Sequence, residues 1–268
     1  MTIEDMRKAV MTDPETRHLD VSDTDLTLVY QYLLRRDEDE SGYRPVLRTH
    51  PYVEIVYRPT KAKADELRKK RIRENLRFYD TEVYVQDARL DDFETFNDER
   101  TKVRDLARAF LDNYGKDPLV KGLYIFGKYA TGKSYVMSAV AQALALRGVS
   151  VLFVYMPDLV RSIKQGMNEG NLEERVNQLK QADVLMMDDI GGENMSTWFR
   201  DEVLVPVLQY RLSARLPVFM TSNLDFIQLV ESLTLTKDET GRAKAARLVQ
   251  RIKDLTTYVR LSKDQYEQ

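Results

Sequence analysis

The sequence contains no cysteine and only two histidines, His18 and His50, among its 268 residues. Without cysteine the chain can form neither a disulfide nor a zinc site with cysteine ligands. Two histidines are too few for us to expect a metal site built on imidazoles. We therefore expect no zinc in this protein.

Long apolar segments are also missing. No run approaches the length that a membrane-spanning helix needs, and the first residues lack a signal-peptide pattern. The net charge is only -2, so any contact with nucleic acid must come from a local basic patch. We expect a cytoplasmic protein without membrane contact, and its length fits one large or two smaller domains.

The stretch YIFGKYATGKSYVM, residues 124–137, carries the main motif. The spacing from Gly127 to Ser134 matches G-x-x-x-x-G-K-[ST], the phosphate-binding loop. An ordinary glycine turn would explain the glycines but not the order Gly132-Lys133-Ser134. Apolar residues predict a strand before the loop and a helix after it. The candidate nucleotide-binding residues are Gly127, Lys128, Tyr129, Ala130, Thr131, Gly132, Lys133, Ser134 and Tyr135.

Each part of this loop has an expected role. Backbone N–H groups at the helix start would point at phosphate oxygens, which the helix dipole also favours. Lys133 would reach the β- and γ-phosphates, and the hydroxyl of Ser134 would bind Mg²⁺.

Acidic residues follow the next strongly apolar run, in ADVLMMDDIGG, residues 182–192. Four consecutive apolar residues predict a strand buried on both faces of a parallel sheet. Asp188 and Asp189 come at its carboxyl end, where ligands of open α/β sheets bind. We expect Asp188 to bind Mg²⁺ and Asp189 to polarise or deprotonate the attacking water. The alternative is an ordinary acidic turn.

A further strand is predicted in RLPVFMTSN, residues 215–223, and it ends in the polar residues Thr221, Ser222 and Asn223. Asn223 could hold the same water or the γ-phosphate, although Ser-Asn after a strand is commonly a simple turn. Residues 149–157 read as another strand. The alternation of strands and helices from residue 121 to 262 predicts an α/β fold with a doubly wound parallel sheet.

The first part of the chain differs in character. Residues 1–35 predict a small helical unit with Ser22 as an N-cap, and residues 46–59 predict one or two short strands. Residues 61–80 predict a strongly basic helix, which is either a solvated surface or a contact for phosphates or an acidic partner. We place a domain boundary near residue 90, giving domains 1–90 and 91–268.

Residues 90–262 resemble the ATPase domain of the DnaI/DnaC-type replicative helicase loaders, within the AAA+ class. The resemblance lies in four stretches that stand in the expected order: GLYIFGKYATGKS, ADVLMMDDIGGENMSTWFRDEVL, LPVFMTSN and KAARLVQRI. The length and the N-terminal domain of about ninety residues are most similar to the DnaI branch of Gram-positive bacteria.

This resemblance implies an ATPase that uses ATP and Mg²⁺ and loads a helicase onto DNA. The implied partners are a hexameric replicative helicase, single-stranded DNA and further copies of the chain, joined through the ATP site. The N-terminal domain would grip the helicase. DnaI-type N-terminal domains often hold zinc through cysteines and a histidine, which this chain cannot do. From the resemblance to the loaders we also expect no helical lid of the kind that many AAA+ proteins have after the region equivalent to residue 262.

The resemblance also implies an arginine finger, supplied by a neighbouring subunit. The segment GRAKAARLVQRIKDL contains Arg242, Arg247 and Arg251. Arg251 matches the finger position, with Arg247 as the second choice; the alternative is a pair of helix-surface arginines. At position 189, AAA+ proteins commonly have glutamate, so the shorter aspartate implies slow hydrolysis.

Two other functions stay open. A transposition helper ATPase has a similar core, usually with a shorter N-terminal segment. A nucleotide-binding adaptor without significant turnover is the other alternative, and the combination of Lys133, Asp188 and Asp189 argues against it.

Overall fold

The computed structural model describes residues 2–39, 41–79, 85–192, 195–236 and 239–263. The chain divides into two compact units, Met1–Lys70 and Arg71–Gln268. The division thus lies about twenty residues before the boundary that we placed near residue 90. The reason is a strand within residues 71–79 that joins the main sheet of the second unit.

The first unit contains two helices, a hairpin and the first part of a third helix, which continues past the division. Helices α1 (Ile3–Thr12) and α2 (Asp23–Arg35) precede the antiparallel strands β1 (Tyr43–Arg48) and β2 (Glu54–Pro59). The hydroxyl of Ser22 accepts a hydrogen bond from the Asp25 N–H at 3.2 Å, so the predicted N-cap is confirmed. A small core is formed by Val10, Leu26 and Val29.

The basic helix α3 (Lys61–Asn75) ends earlier than the predicted segment 61–80. Leu76 begins strand β3 (Leu76–Tyr79), in which it pairs with Val151 and is buried. Sheet pairing therefore overrides the local helical pattern. Residue 80 lies outside the described residues. No residue of α3 is buried. This agrees both with a solvated surface and with a surface that contacts phosphates or an acidic partner.

The second unit carries the remaining elements, which alternate as predicted. After β3 and a 3₁₀ turn (Leu90–Asp92) they are α4 (Asp98–Asn113), β4 (Gly122–Phe126), α5 (Lys133–Leu146), β5 (Val151–Tyr155), α6 (Met156–Glu169), α7 (Leu172–Gln181), β6 (Val184–Asp188), a π-helical segment (Phe199–Leu204), α8 (Val205–Ala214), β7 (Val218–Ser222), α9 (Phe226–Leu233), α10 (Glu239–Leu255) and β8 (Thr256–Arg260).

These strands form one parallel sheet in the order β3-β5-β6-β7-β4-β8. Helices α4 and α5 cover one face and α6 to α10 the other, each over its own apolar core. Every residue of β6 and β7 is buried, as expected for strands covered on both faces. The predicted doubly wound α/β fold is confirmed. Because the strands are parallel, the loops after β4, β6 and β7 meet at one edge.

A fully buried arginine holds the opposite edge of the sheet. Arg211 of α8 donates hydrogen bonds to five backbone carbonyls at the end of α7 and before β6 and β7. Burial lowers its pKa to about 10. The side chain thereby satisfies carbonyls that the last turn of a helix leaves without partners.

Across the ranges that the structure describes, no helix is both long and apolar enough to cross a membrane.

Candidate active site

The loop between β4 and α5 has a backbone that depends on its small residues. Gly127, Ala130 and Gly132 have φ angles of 156°, 58° and 102°. A Cβ atom on Gly127 would lie only 2.0 Å from the backbone oxygen of Leu261, so glycine is required there. The Gly127 N–H donates to the carbonyl of Ser222 at 3.1 Å. The loop therefore starts from a point fixed by β7 and by the residue after β8.

The ammonium group of Lys133 lies within this loop. It donates to the carbonyl oxygens of Gly127 and Lys128, both at 2.7 Å, and to Oδ1 of Asn223 at 2.8 Å. The residue is 8% exposed, and burial lowers the pKa of Lys133. The nearby carboxylates of Asp189 and Asp188 oppose that shift. A lysine held in this way is a cation at the carboxyl edge of the sheet.

Ser134 and Asp188 meet beside the lysine. The Ser134 hydroxyl lies 3.0 Å and 2.9 Å from the two carboxylate oxygens of Asp188. Thr221 of β7 also donates its hydroxyl to Asp188. Burial raises the pKa of Asp188, and the bonds from Thr221 and Ser134 act in the opposite direction. Hydroxyl and carboxylate oxygens are the hard ligands that Mg²⁺ prefers, so this pair fits the predicted metal site.

The carboxylate of Asp189 has a different partner from the carboxylate of Asp188. Its φ angle is 62°, a left-handed conformation that is strained for a residue with a Cβ. Its N–H donates to the Thr221 hydroxyl at 2.9 Å, and its Oδ1 accepts from the Asn223 amide at 2.8 Å. Burial raises the pKa of Asp189, while Lys133 opposes the shift. The two neighbouring acids thus occupy separate positions, one beside the hydroxyl pair and one beside the amide.

A family model described as IstB-like ATP binding protein matches residues 52–264, which include the whole loop and both acids. The chain belongs to this family.

Relatives and solved structures show which members of the family this IstB-like protein is similar to. The replicative helicase loader DnaI of Bacillus subtilis is 42% identical over 153 residues, which cover 57% of this chain and 49% of that protein. DnaC of Escherichia coli K12 is 28% identical over 129 residues, covering 47% and 51%. The chain thus spans about half the length of these relatives. A crystal structure of DnaI, 37% identical, superimposes with a TM-score of 0.64 over 70% of this chain and 98% of that one. The resemblance to the DnaI/DnaC type is confirmed.

In this IstB-like chain, the predicted arginine finger lies apart from the cluster around the phosphate loop. Arg251 and Arg247 lie in the second half of α10, which leads to the start of β8 and therefore runs away from the loop edge. Arg251 donates from Nε to Oε1 of Gln209 at 2.8 Å, while Arg247 is exposed. Arg251 is not part of the cluster within its own chain, and its role toward a neighbouring copy stays a prediction.

The other loop residues lie at the surface or turn away. Lys128, Tyr129 and Ala130 are exposed, Tyr129 by 74%. The hydroxyl of Tyr135 donates to the carbonyl of Arg89 at 3.1 Å and lies 3.3 Å from its N–H. The Tyr135 side chain thus binds the segment before α4. Any contact of Tyr135 with a nucleotide would therefore come from its backbone.

Two contributors to the site are absent from the site residues predicted from the sequence. Thr221 touches both acids, and its place at the carboxyl end of a strand beside β6 was the available signal. Arg100 of α4 donates to the carbonyl of Thr131 at 2.7 Å from behind the loop. Nothing in the local sequence distinguishes Arg100 from the other arginines of that helix.

Proposed function

We propose that this protein is an ATP-dependent loader that binds the replicative DNA helicase and delivers it onto single-stranded DNA. The observation that carries the proposal is the link from Lys133 through Asn223 to Asp189, beside the Ser134–Asp188 pair. This arrangement stands in a chain of the DnaI/DnaC type, whose relatives are named replicative helicase loaders.

The geometry suits binding and hydrolysis of ATP. The N–H groups at the start of α5 and the ammonium of Lys133 would hold the phosphates. Ser134 and Asp188 would hold Mg²⁺, which, when bound, offsets negative charge on the phosphate oxygens. Asp189 would orient and deprotonate a water molecule, and Asn223 would fix the direction of its carboxylate.

Hydrolysis should be slow and dependent on assembly. The carboxylate of Asp189 stands on a side chain one methylene shorter than glutamate, and small misplacements of a catalytic group are costly. An arginine from a second copy, Arg251 in our assignment, would complete the site. ATP binding would then favour self-association through the ATP site and a surface for single-stranded DNA, and hydrolysis would release the loader.

The two units would divide the work. All the residues of the proposed ATP site lie in the second unit, which begins at Arg71. The first unit carries none of them, and we assign it to the helicase. The basic helix α3 is one candidate for contact with an acidic partner or with phosphates.

A transposition helper is the second candidate. The family match covers residues 52–264, the part that carries the phosphate loop, and such a core serves either function. The two candidates differ in the protein that they bind.

A binding assay with two baits tests the proposal. The purified chain should be retained by the replicative helicase of the same organism and not by a transposase. A steady-state ATPase assay, with and without single-stranded DNA, should show turnover that Lys133→Ala abolishes and Lys121→Ala, a change at an exposed lysine, leaves intact. Retention by the transposase alone would support the second candidate, and absence of turnover would support an adaptor.

A further inference from the structure

Arg100 is a buried cation directly behind the phosphate loop. It lies in the first turn of α4, and only 7% of the residue is exposed. Its Nη1 donates to the carbonyl of Thr131 at 2.7 Å and its Nε to the carbonyl of Glu94 at 2.5 Å. In the part of the chain that the structure describes, its hydrogen-bond acceptors are backbone carbonyls and not carboxylates.

Aromatic rings hold the guanidinium in place. Its Cζ lies 4.2 Å from the ring centroid of Phe93 and 4.5 Å from that of Phe96, within the range of cation–π contacts. The same Phe93 ring would lie 3.3 Å from a Cβ added to Gly132. The segment before α4 and the phosphate loop are therefore packed together around one charged side chain.

The bond to Thr131 fixes the direction of a particular peptide group. Thr131 and Gly132 share a planar trans peptide, so the Gly132 N–H points opposite to the Thr131 carbonyl. With that carbonyl turned back to Arg100, the N–H faces the other side of the loop. Gly132 is the N-cap of α5, where N–H groups have no partner within the helix and can be donated to an anion.

Glycine makes this peptide free to turn over. Gly132 has a φ of 102°, and a residue without Cβ reaches negative φ at little cost. A reversed peptide would direct a carbonyl oxygen at the phosphates in place of an N–H. We infer that Arg100 is a positioning residue of the ATP site, which locks the Thr131–Gly132 peptide in the orientation that binds phosphate. The inference rests on the proposed function of the loop.

Variants of Arg100 test the role. Arg100→Met keeps the length of the side chain and removes every donor, whereas Arg100→Lys keeps one charged donor. We expect the Kd for Mg-ATP and the KM to rise about tenfold or more in Arg100→Met and by less in Arg100→Lys, with kcat changing less than KM. Arg108→Met is the matched control, because Arg108 lies on the same helix and pairs with exposed Asp91 rather than with the loop.

A spectroscopic readout separates positioning from general damage. The sequence has two Thr-Gly pairs, ending at Gly132 and Gly241, so labelling with ¹³C-threonine and ¹⁵N-glycine selects these two amides. In nucleotide-free Arg100→Met, the Gly132 amide resonance should move while that of Gly241, in α10, stays in place.

The outcomes are distinct. If the unmodified protein does not bind Mg-ATP, the proposed function fails, whatever the variants do. If it binds and both Arg100 variants bind equally well, the positioning role is overturned. The role is overturned as well if Gly241 moves together with Gly132, or if neither variant folds, since Arg100 would then be a structural residue of the core.

Discussion

Asn223 donates its side-chain amide to the carboxylate of Asp189 at 2.8 Å. Its amide oxygen accepts from the ammonium of Lys133, also at 2.8 Å. The NH₂ group of the amide thus binds a carboxylate and its oxygen binds an ammonium group. Because an NH₂ group only donates and an amide oxygen only accepts, the two partners determine the orientation of the amide.

Replacing Asn223 by alanine should slow hydrolysis more than it weakens ATP binding. The carboxylate of Asp189 would lose the donor that sets its direction, and a misplacement of about 1 Å can lower a rate roughly 100-fold. The measurement is kcat together with the Kd for ATP. Asn113→Ala, a change at an exposed asparagine of α4, should leave both unchanged. An unaltered kcat in Asn223→Ala would remove Asn223 from the catalytic group.

Replacing Lys133 by alanine should weaken ATP binding by ~1–3 kcal/mol, the range for one charge-assisted hydrogen bond. The fold should persist, because the lysine contacts loop carbonyls and Asn223 rather than the apolar cores. Calorimetric titration of the variant with ATP, beside a thermal melt without nucleotide, measures both. Equal affinity in the variant and the unmodified protein would contradict the phosphate-loop assignment.

If Arg251 acts on a neighbouring copy, turnover per subunit should rise with protein concentration. Arg251→Ala should abolish that rise and leave ATP binding to the single subunit intact, since the residue lies away from its own loop. Asp189→Asn should block hydrolysis at every concentration. Arg247→Ala is the matched comparison on the same helix. A flat profile, over a range in which sedimentation shows assembly, would leave Arg251 as a link between α10 and Gln209.

Replacing Asp188 by asparagine should stabilise the nucleotide-free protein at neutral pH while abolishing hydrolysis. Burial raises the pKa of Asp188 above its ordinary value of 3.8. The protonated Asp188 therefore contributes fully to the free energy of unfolding at pH values below 3.8. This contribution is lost as the pH rises through the raised pKa of the folded state. Asparagine does not titrate. The variant's gain in free energy of unfolding over the unmodified protein should therefore grow between pH 3.8 and the raised pKa, and stay constant above it.

Denaturant unfolding at about pH 4 and about pH 8 measures this difference. Asp105→Asn, at an exposed carboxylate that pairs with Arg104, is the control and should change stability little at either pH. A variant of Asp188 that is less stable than the unmodified protein at the higher pH would contradict the prediction.

Fragments of the second unit should differ in stability according to where they begin. A fragment 71–268 keeps β3, in which Leu76 is buried beside Val151. A fragment 91–268 lacks that strand and leaves the edge of β5 without its neighbour, so we expect a lower melting temperature and stronger aggregation. Both should bind ATP. Equal melting temperatures would show that β3 contributes little to the sheet.

The sequence was most informative where a residue's chemistry depends on its immediate neighbours. The order Gly132-Lys133-Ser134 and the acids after an apolar strand were sufficient to name residues that do meet, such as Ser134 and Asp188. The alternation of strands and helices was sufficient to predict the parallel sheet. Contacts between residues distant in sequence were beyond such patterns. Arg100 reaches Thr131 only because α4 packs on α5.

The boundary between the units also depends on a contact between residues that are distant in sequence. Leu76 follows a run of basic helical residues, and only its pairing with β5 reveals it as a strand residue.

The position of β4 between β7 and β8 has a consequence for synthesis of the chain. The Leu261 N–H donates to the carbonyl of Phe126 at 2.8 Å, and the backbone oxygen of Leu261 closes on Gly127. On the ribosome, the phosphate-loop motif therefore emerges long before the strand that completes its surroundings. A polypeptide released before β8 would contain every residue of the motif and yet lack its support, so we expect ATP binding only after residue 261 has emerged from the ribosome and paired beside β4.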